Sequence, residues 1–238
     1  MESVKGKHIL VVGATGSIGK HTARLLVGSG AQVYITGRQP QKLQAAAAEL
    51  GIDASRSFVV DVTNEADVAA LSQGLAAAAP ALDILVIASG IGIIKTMETL
   101  TVAEFQQTLQ TNLVGPFLLL KYLLPPMKEQ KKGLIINIPG VLGKVPMAGA
   151  AAYSASKYGL TGMMQSIREE LKRTEIRITN LFMGGVDSAF WDTIDLRVQR
   201  DKMIVSEEAA KAIWFLCQQP RSGVVSEMVL QPFNHQAI

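Results

Sequence analysis

His8-Ile9-Leu10-Val11-Val12-Gly13-Ala14-Thr15-Gly16-Ser17-Ile18-Gly19 decides the fold. A short apolar run stops at a glycine, which reads as a buried strand; from Lys20 the pattern turns helical. Between strand and helix stand glycines three apart. In a doubly wound sheet this turn is where a dinucleotide pyrophosphate meets a helix N-terminus, because glycines let backbone N–H groups approach the phosphates. The same glycines would also make a tight strand-to-helix turn that holds nothing.

The pattern repeats along the chain. Short apolar runs at 32–36, 58–60, 84–88, 134–138, 176–182 and 224–230 read as strands. Helical stretches at 41–50, 65–79, 102–124, 153–173 and 207–218 alternate with them, and Gly115-Pro116 should kink the long helix 102–124. Continuously apolar strands alternating with helices mean a parallel sheet covered on both faces. The expected class is α/β, a Rossmann-type doubly wound sheet, with residues 1–238 forming one domain.

Composition excludes several classes. The 238 residues are 48% hydrophobic, and 23 Lys+Arg against 20 Asp+Glu give a scattered charge of +3, too mild to argue for nucleic acid. The first seven residues lack the apolar core of a signal peptide, and no apolar run reaches the length of a membrane span. One cysteine, Cys217, cannot form an internal disulfide, which fits a reducing, cytoplasmic setting. His8, His21 and His235 are too scattered for a metal site or a Ser-His-Asp triad.

The second strand ends in Thr36-Gly37-Arg38, with no acid to hold a ribose hydroxyl and repel a 2′-phosphate. Arg38 would pair with that phosphate as a fork, which favours NADP(H) over NAD(H); it would equally be an ordinary exposed arginine. Asp61-Val62, ending the third strand, suits the adenine, although Asp61 also suits a turn or a helix cap. Tyr153 and Lys157 lie four apart and so share one helix face. A tyrosine is ionised in only about one molecule in a thousand at pH 7, and a neighbouring ammonium is expected to lower its pKa and make it a usable acid or base. Separately, Lys157 would pass for a surface lysine, Tyr153 for a core aromatic, and Asn112 for a helix-kink residue.

Taken in order, these residues resemble the short-chain dehydrogenase/reductase superfamily over nearly the whole chain. The resemblance implies a sheet in the order 3-2-1-4-5-6-7, a nicotinamide cofactor, and hydride transfer to or from a carbonyl or alcohol of a small molecule. It implies that Gly13, Thr15, Gly16, Ser17, Ile18 and Gly19 serve the cofactor, as do Ser89 and Gly90 after the fourth strand. Tyr153 resembles the proton donor or acceptor, and Lys157 the lysine that binds the nicotinamide ribose. Asn112 resembles the asparagine that bends its helix and holds a relay water, and Val186 and Ser188 the residues that hold the carboxamide. It further implies a homodimer or homotetramer through the helices around Asn112 and Tyr153. The segment 187–202 is expected to be a substrate lid.

The chain departs from the family at informative places. Ser17 stands where the single-domain branch has its middle glycine, and Gly13, Gly16 and Gly19 match the epimerase-like spacing instead. Only 56 residues follow Phe182, too few for that branch's substrate domain. Ile87-Ala88-Ser89-Gly90 replaces Asn-Asn-Ala-Gly, and Met183-Gly184 replaces Pro-Gly. The serine expected thirteen residues before the tyrosine is Gly140, and no Ser or Thr occurs from Gly133 to Ala152. Losing one preorganised donor costs roughly 3–4 kcal/mol of a catalytic total of about 8–23 kcal/mol. The expectation is therefore an NADPH-dependent carbonyl reductase; the alternative is a catalytically weak NADP(H)-binding sensor or partner subunit.

Overall fold

The computed structural model describes residues 1–234, so His235 lies outside the described residues. The strands are β1 His8–Val12, β2 Gln32–Gly37, β3 Ser57–Val59, β4 Ile84–Ile87, β5 Lys132–Asn137, β6 Glu175–Met183, β7 Val186–Asp187, β8 Ile204–Val205 and β9 Glu227–Leu230. The helices are α1 Ser17–Gly28, α2 Pro40–Leu50, α3 Glu65–Ala78, α4 Val102–Leu109, α5 Gly115–Gln130, α6 Ala151–Glu170 and α7 Ser206–Leu216. Seven strands form one parallel sheet in the order β3-β2-β1-β4-β5-β6-β9, and β7 pairs with β8 apart from it. With that short pair counted separately, this is the expected order 3-2-1-4-5-6-7.

Successive residues of one strand feed opposite faces. Ile9 and Val11 of β1 pack with Leu26 of α1 and Ile213 of α7, while Leu10 and Val12 pack with Leu71 of α3 and Leu119 of α5. Both faces being covered is why the strands read as unbroken apolar runs rather than alternating ones. Strand order reverses between β1 and β4, which opens a crevice at the carboxyl ends of the strands.

The expected helix 102–124 is three pieces. α4 ends at Leu109, residues Gln110–Val114 form a π turn, and α5 continues to Gln130. The irregularity precedes Gly115-Pro116 instead of sitting on it. Pro116 follows directly on the π turn, whose wider turn accommodates a residue without an N–H, and Gly115 lets the helix approach Val62: a Cβ there would lie 2.9 Å from Val62 Cγ2. The helix also runs through Pro125 and Pro126. Pro126 cannot donate to the carbonyl of Tyr122, and the Ser72 hydroxyl does so instead at 3.0 Å. The last strand starts at Glu227 rather than Val224. Among the described residues, no helix is long and apolar enough to cross a membrane.

Candidate active site

The glycine loop is shaped by the backbone itself. Gly13 has φ +85°, and a Cβ there would sit 2.9 Å from the amide nitrogen of Ser89. A Cβ at Gly19 would lie 2.4 Å from the carbonyl oxygen of Gly13, so the first turn of α1 stacks on the loop only because both are glycine. Gly16 is different. Its nearest neighbour to a Cβ is Gly13 O at 3.5 Å, so nothing in the protein requires glycine there. Gly16 is also the N-cap of α1 and offers no side chain, which leaves the N-terminus beginning at Ser17 open to an anion. Thr15 places its methyl group against Gly37, where a Cβ would stand 2.5 Å away.

At the far end of this groove, the exposed side chain of Arg38 makes no hydrogen bond or ion pair among the described residues. Asp61 is both a turn residue and a neighbour of Arg38. Its Oδ1 accepts from the N–H and hydroxyl of Thr63 at 2.9 and 2.7 Å. Burial alone would raise its pKa, but those bonds and the Arg38 charge hold it below the usual carboxylate value. Val62 is buried against Gly115.

The crevice widens to a cavity of about 740 Å³. Ile18, Ser89, Gly90, Tyr153 and Lys157 line it, joined by Val186 and Ser188 from the other side. The Ser89 hydroxyl is buried without a partner among the described residues. Gly90 is the point on which three elements converge: a Cβ there would be 3.2 Å from Asn112 Oδ1 and 3.7 Å from Lys157 Nζ. Another cavity, of about 850 Å³, lies beyond the amino ends of the strands, beside Lys7, Asp83 and Lys132, and has no glycine loop.

Asn112 sits fully buried in the π turn. Its Oδ1 accepts the Ile91 N–H at 2.9 Å, and its Nδ2 donates to Ile91 O at 2.9 Å and Ser156 Oγ at 3.2 Å. The amide therefore clamps the segment after Gly90, and Ser156 in turn donates to Tyr153 O at 2.7 Å. Asn112 does not line the cavity. Reading the sequence missed Ser156, whose only signal was its place in Tyr153-Ser154-Ala155-Ser156-Lys157.

Tyr153 and Lys157 share one face of α6, with Nζ 5.4 Å from the ring centre. The expected lowering of the phenol pKa is reversed. Lys157 is 4% exposed and turns its ammonium to Ile138 O, 3.1 Å away, rather than to the phenol. Burial pushes the Tyr153 hydroxyl above its ordinary value of 10.0 and brings Lys157 from 10.5 down to about 8. The phenol is thus neutral at pH 7.

Position 140 differs by more than a missing hydroxyl. Gly140 has φ +72° and ψ 170°, a conformation essentially confined to glycine. Across the cavity, segment 187–202 is folded down. Arg200 bonds the carboxylates of Asp187 and Asp192 and the carbonyl of Ser188, and Trp191 Nε1 donates to Val186 O at 2.9 Å. Phe190 meets Tyr153 edge-on at 5.8 Å and rests on Gly92, where a Cβ would lie 2.2 Å from its ring.

These residues fit a nicotinamide dinucleotide. The open helix N-terminus and Gly16 would meet the phosphates, and Ser89, whose buried hydroxyl has no partner among the described residues, lines the cavity together with Lys157. Among the described residues there is no cluster of metal-ligating side chains.

Comparison with known proteins agrees with this geometry. Residues 7–198 match the family described as short chain dehydrogenase. Nodulation protein G of Rhizobium sp. (strain N33) is 31% identical, over 96% of this chain and 96% of that protein. A metagenomic short-chain oxidoreductase, solved in complex with NADP, is 32% identical with a TM-score of 0.83, covering 97% of this chain and 99% of that one. Serine dehydrogenase from Escherichia coli is 26% identical with a TM-score of 0.85, covering 96% and 99%. With its sheet order, glycine loop and Tyr153–Lys157 pair, the chain belongs to the short-chain dehydrogenase family, whose members are oxidoreductases of alcohol and carbonyl groups that use NAD(P).

Proposed function

We propose that residues 1–238 act as one NADP(H)-binding unit that reduces a ketone or aldehyde to an alcohol, with 187–202 as the substrate lid. The observation that carries this reading is the neutral Tyr153 phenol, set beside buried Lys157 in a cavity at the carboxyl ends of the strands. Bound NADPH supplies the hydride. Tyr153 donates its phenolic proton to the carbonyl oxygen as charge develops there. Lys157, held by Ile138 O, stabilises the phenolate left behind. Asn112 fixes the segment carrying Gly90 and Ile91, and through Ser156 the start of α6, so it is a positioning residue here. Val186 and Ser188 hold the nicotinamide end, and Phe190 and Trp191 of the lid cover the cavity beside Tyr153.

The preference for NADP(H) rests on unpartnered Arg38 and on the absence of an acid at the end of β2. The related metagenomic oxidoreductase solved with NADP supports it. Assembly into a homodimer or homotetramer is supported by Phe105, Phe117 and Tyr158, exposed on α4, α5 and α6. The conformation of Gly140 favours a second reading, a weak catalyst that serves mainly by binding NADP(H). The test is a panel of ketones and aldehydes offered with NADPH and with NADH, read as loss of the reduced-cofactor absorbance. Turnover with NADPH supports the reductase. Tight NADPH binding without turnover of any member supports the binding protein.

A further inference from the structure

The cavity is asymmetric in charge. Its charged lining residues are Lys157, Arg197 and Lys202, and no Asp or Glu among the described residues lines it. Lys157 is committed to Ile138 O at the base. Arg197 and Lys202 line it from segment 187–202, both are partly open to solvent, and neither side chain has a hydrogen-bond or ion-pair partner among the described residues. Their neighbour Arg200 shows the contrast: it is neutralised by Asp187 and Asp192 and does not line the cavity. Asp195 and Asp201 are on the same segment but stand outside the lining, exposed to solvent. Between base and rim the wall is apolar, built from Ile94, Val141, Leu142, Val145, Met147 and Phe190.

Resting on the reductase reading, we infer that the substrate is an apolar carbonyl compound with an anionic group at the end remote from the reacting carbon, held by Arg197 and Lys202. The chemistry at the carbonyl makes such a handle useful. With glycine at 140, the carbonyl oxygen lacks one side-chain donor, and Tyr153 alone orients it. Binding energy from a remote, non-reacting group then sets the position of the reacting one. A carboxylate and a phosphate monoester both meet this description, and both pair with a guanidinium and an ammonium.

The test is a calorimetric titration of the NADPH-loaded protein with octanoate, heptyl phosphate and octanamide, which share one seven-carbon apolar chain. At low salt, at least one of the anions should bind about ten-fold tighter than octanamide, with the gap closing as salt is added. The tighter of the two identifies the head group. In the Arg197→Gln, Lys202→Gln double variant the gap should fall below about two-fold. Equal binding of all three by the wild type overturns the inference, as does a gap that survives in the double variant. A loss of NADPH affinity in that variant matching the loss of the gap assigns the cations to the cofactor and also overturns it. Because the readout is binding, failure of the reductase reading shows separately, as absence of turnover with every carbonyl compound offered.

Discussion

Gly140→Ala should destabilise the protein, although the space for a methyl group is there. The nearest atom to a Cβ at this position is Met183 O at 3.4 Å, an ordinary contact. The cost is conformational. At φ +72° and ψ 170° a residue with a Cβ is strained by about 1–3 kcal/mol. Loss of glycine's freedom in the unfolded chain returns about 0.4–1 kcal/mol, leaving a net loss of roughly 1–2 kcal/mol. In a chain of this size that lowers the melting temperature by about 2–8 °C. Gly140→Ser carries the same strain, so the two variants compared with each other isolate the hydroxyl. A Cβ at 140 is directed at Met183 O, so the hydroxyl should bond that carbonyl instead of entering the cavity, and the two variants should turn over within a few-fold of each other. Thermal denaturation and steady-state kinetics of the three proteins decide the matter. If Gly140→Ala is as stable as wild type, or if Gly140→Ser gains about 100-fold over Gly140→Ala, the argument from backbone conformation fails.

Other expectations follow from the same geometry. Gly16→Ala should leave stability almost unchanged, because its Cβ meets only Gly13 O at 3.5 Å, yet weaken NADPH binding measurably by fluorescence titration; unaltered affinity would mean that the backbone at Gly16 does not approach a phosphate. Arg38→Asp should move cofactor preference toward NADH in the ratio of kcat/KM values, and an unmoved ratio would remove Arg38 from 2′-phosphate recognition. Lys157→Met should stabilise the cofactor-free protein at pH 7 by about 1 kcal/mol, since burial brings Lys157 from 10.5 to about 8 and a charged lysine is costly there, while the Ile138 carbonyl left unpaired offsets much of the gain. Between pH 8 and 10.5 the folded protein binds fewer protons at this site than the unfolded chain, so wild type gains stability with rising pH and the advantage of the variant fades. Urea denaturation from pH 7 to 10.5 checks this; an advantage that stays constant would contradict the placement of Lys157.

The layers and strand order were legible because a parallel sheet covered on both faces leaves unbroken apolar runs such as Ile9 to Val12 and Ile84 to Ile87. What sequence alone missed depends on contacts between distant residues. Pro125 and Pro126 look like a helix stop, and only Ser72, fifty residues from Tyr122, shows why the helix survives them. A bend at Asn112 was implied by the resemblance; its form, a π turn over Gln110–Val114, goes with the clamp between Asn112 and Ile91, which the sequence does not show. The spacing of Tyr153 and Lys157 places them on one face but says nothing of burial, so the sign of the phenol's pKa shift was unreadable. At Gly140 the missing hydroxyl was visible in the sequence, while the left-handed backbone that excludes it was not.

Proton donation by Tyr153 is tested most directly by removing its hydroxyl. Single-turnover oxidation of NADPH, with the best carbonyl compound from the panel, compares wild type with Tyr153→Phe, a change that keeps the ring against Phe190 and removes only the hydroxyl. Tyr153→Phe should lose about 10²–10⁴ in rate, with NADPH affinity within a few-fold of wild type. Equal rates for the two proteins would contradict it.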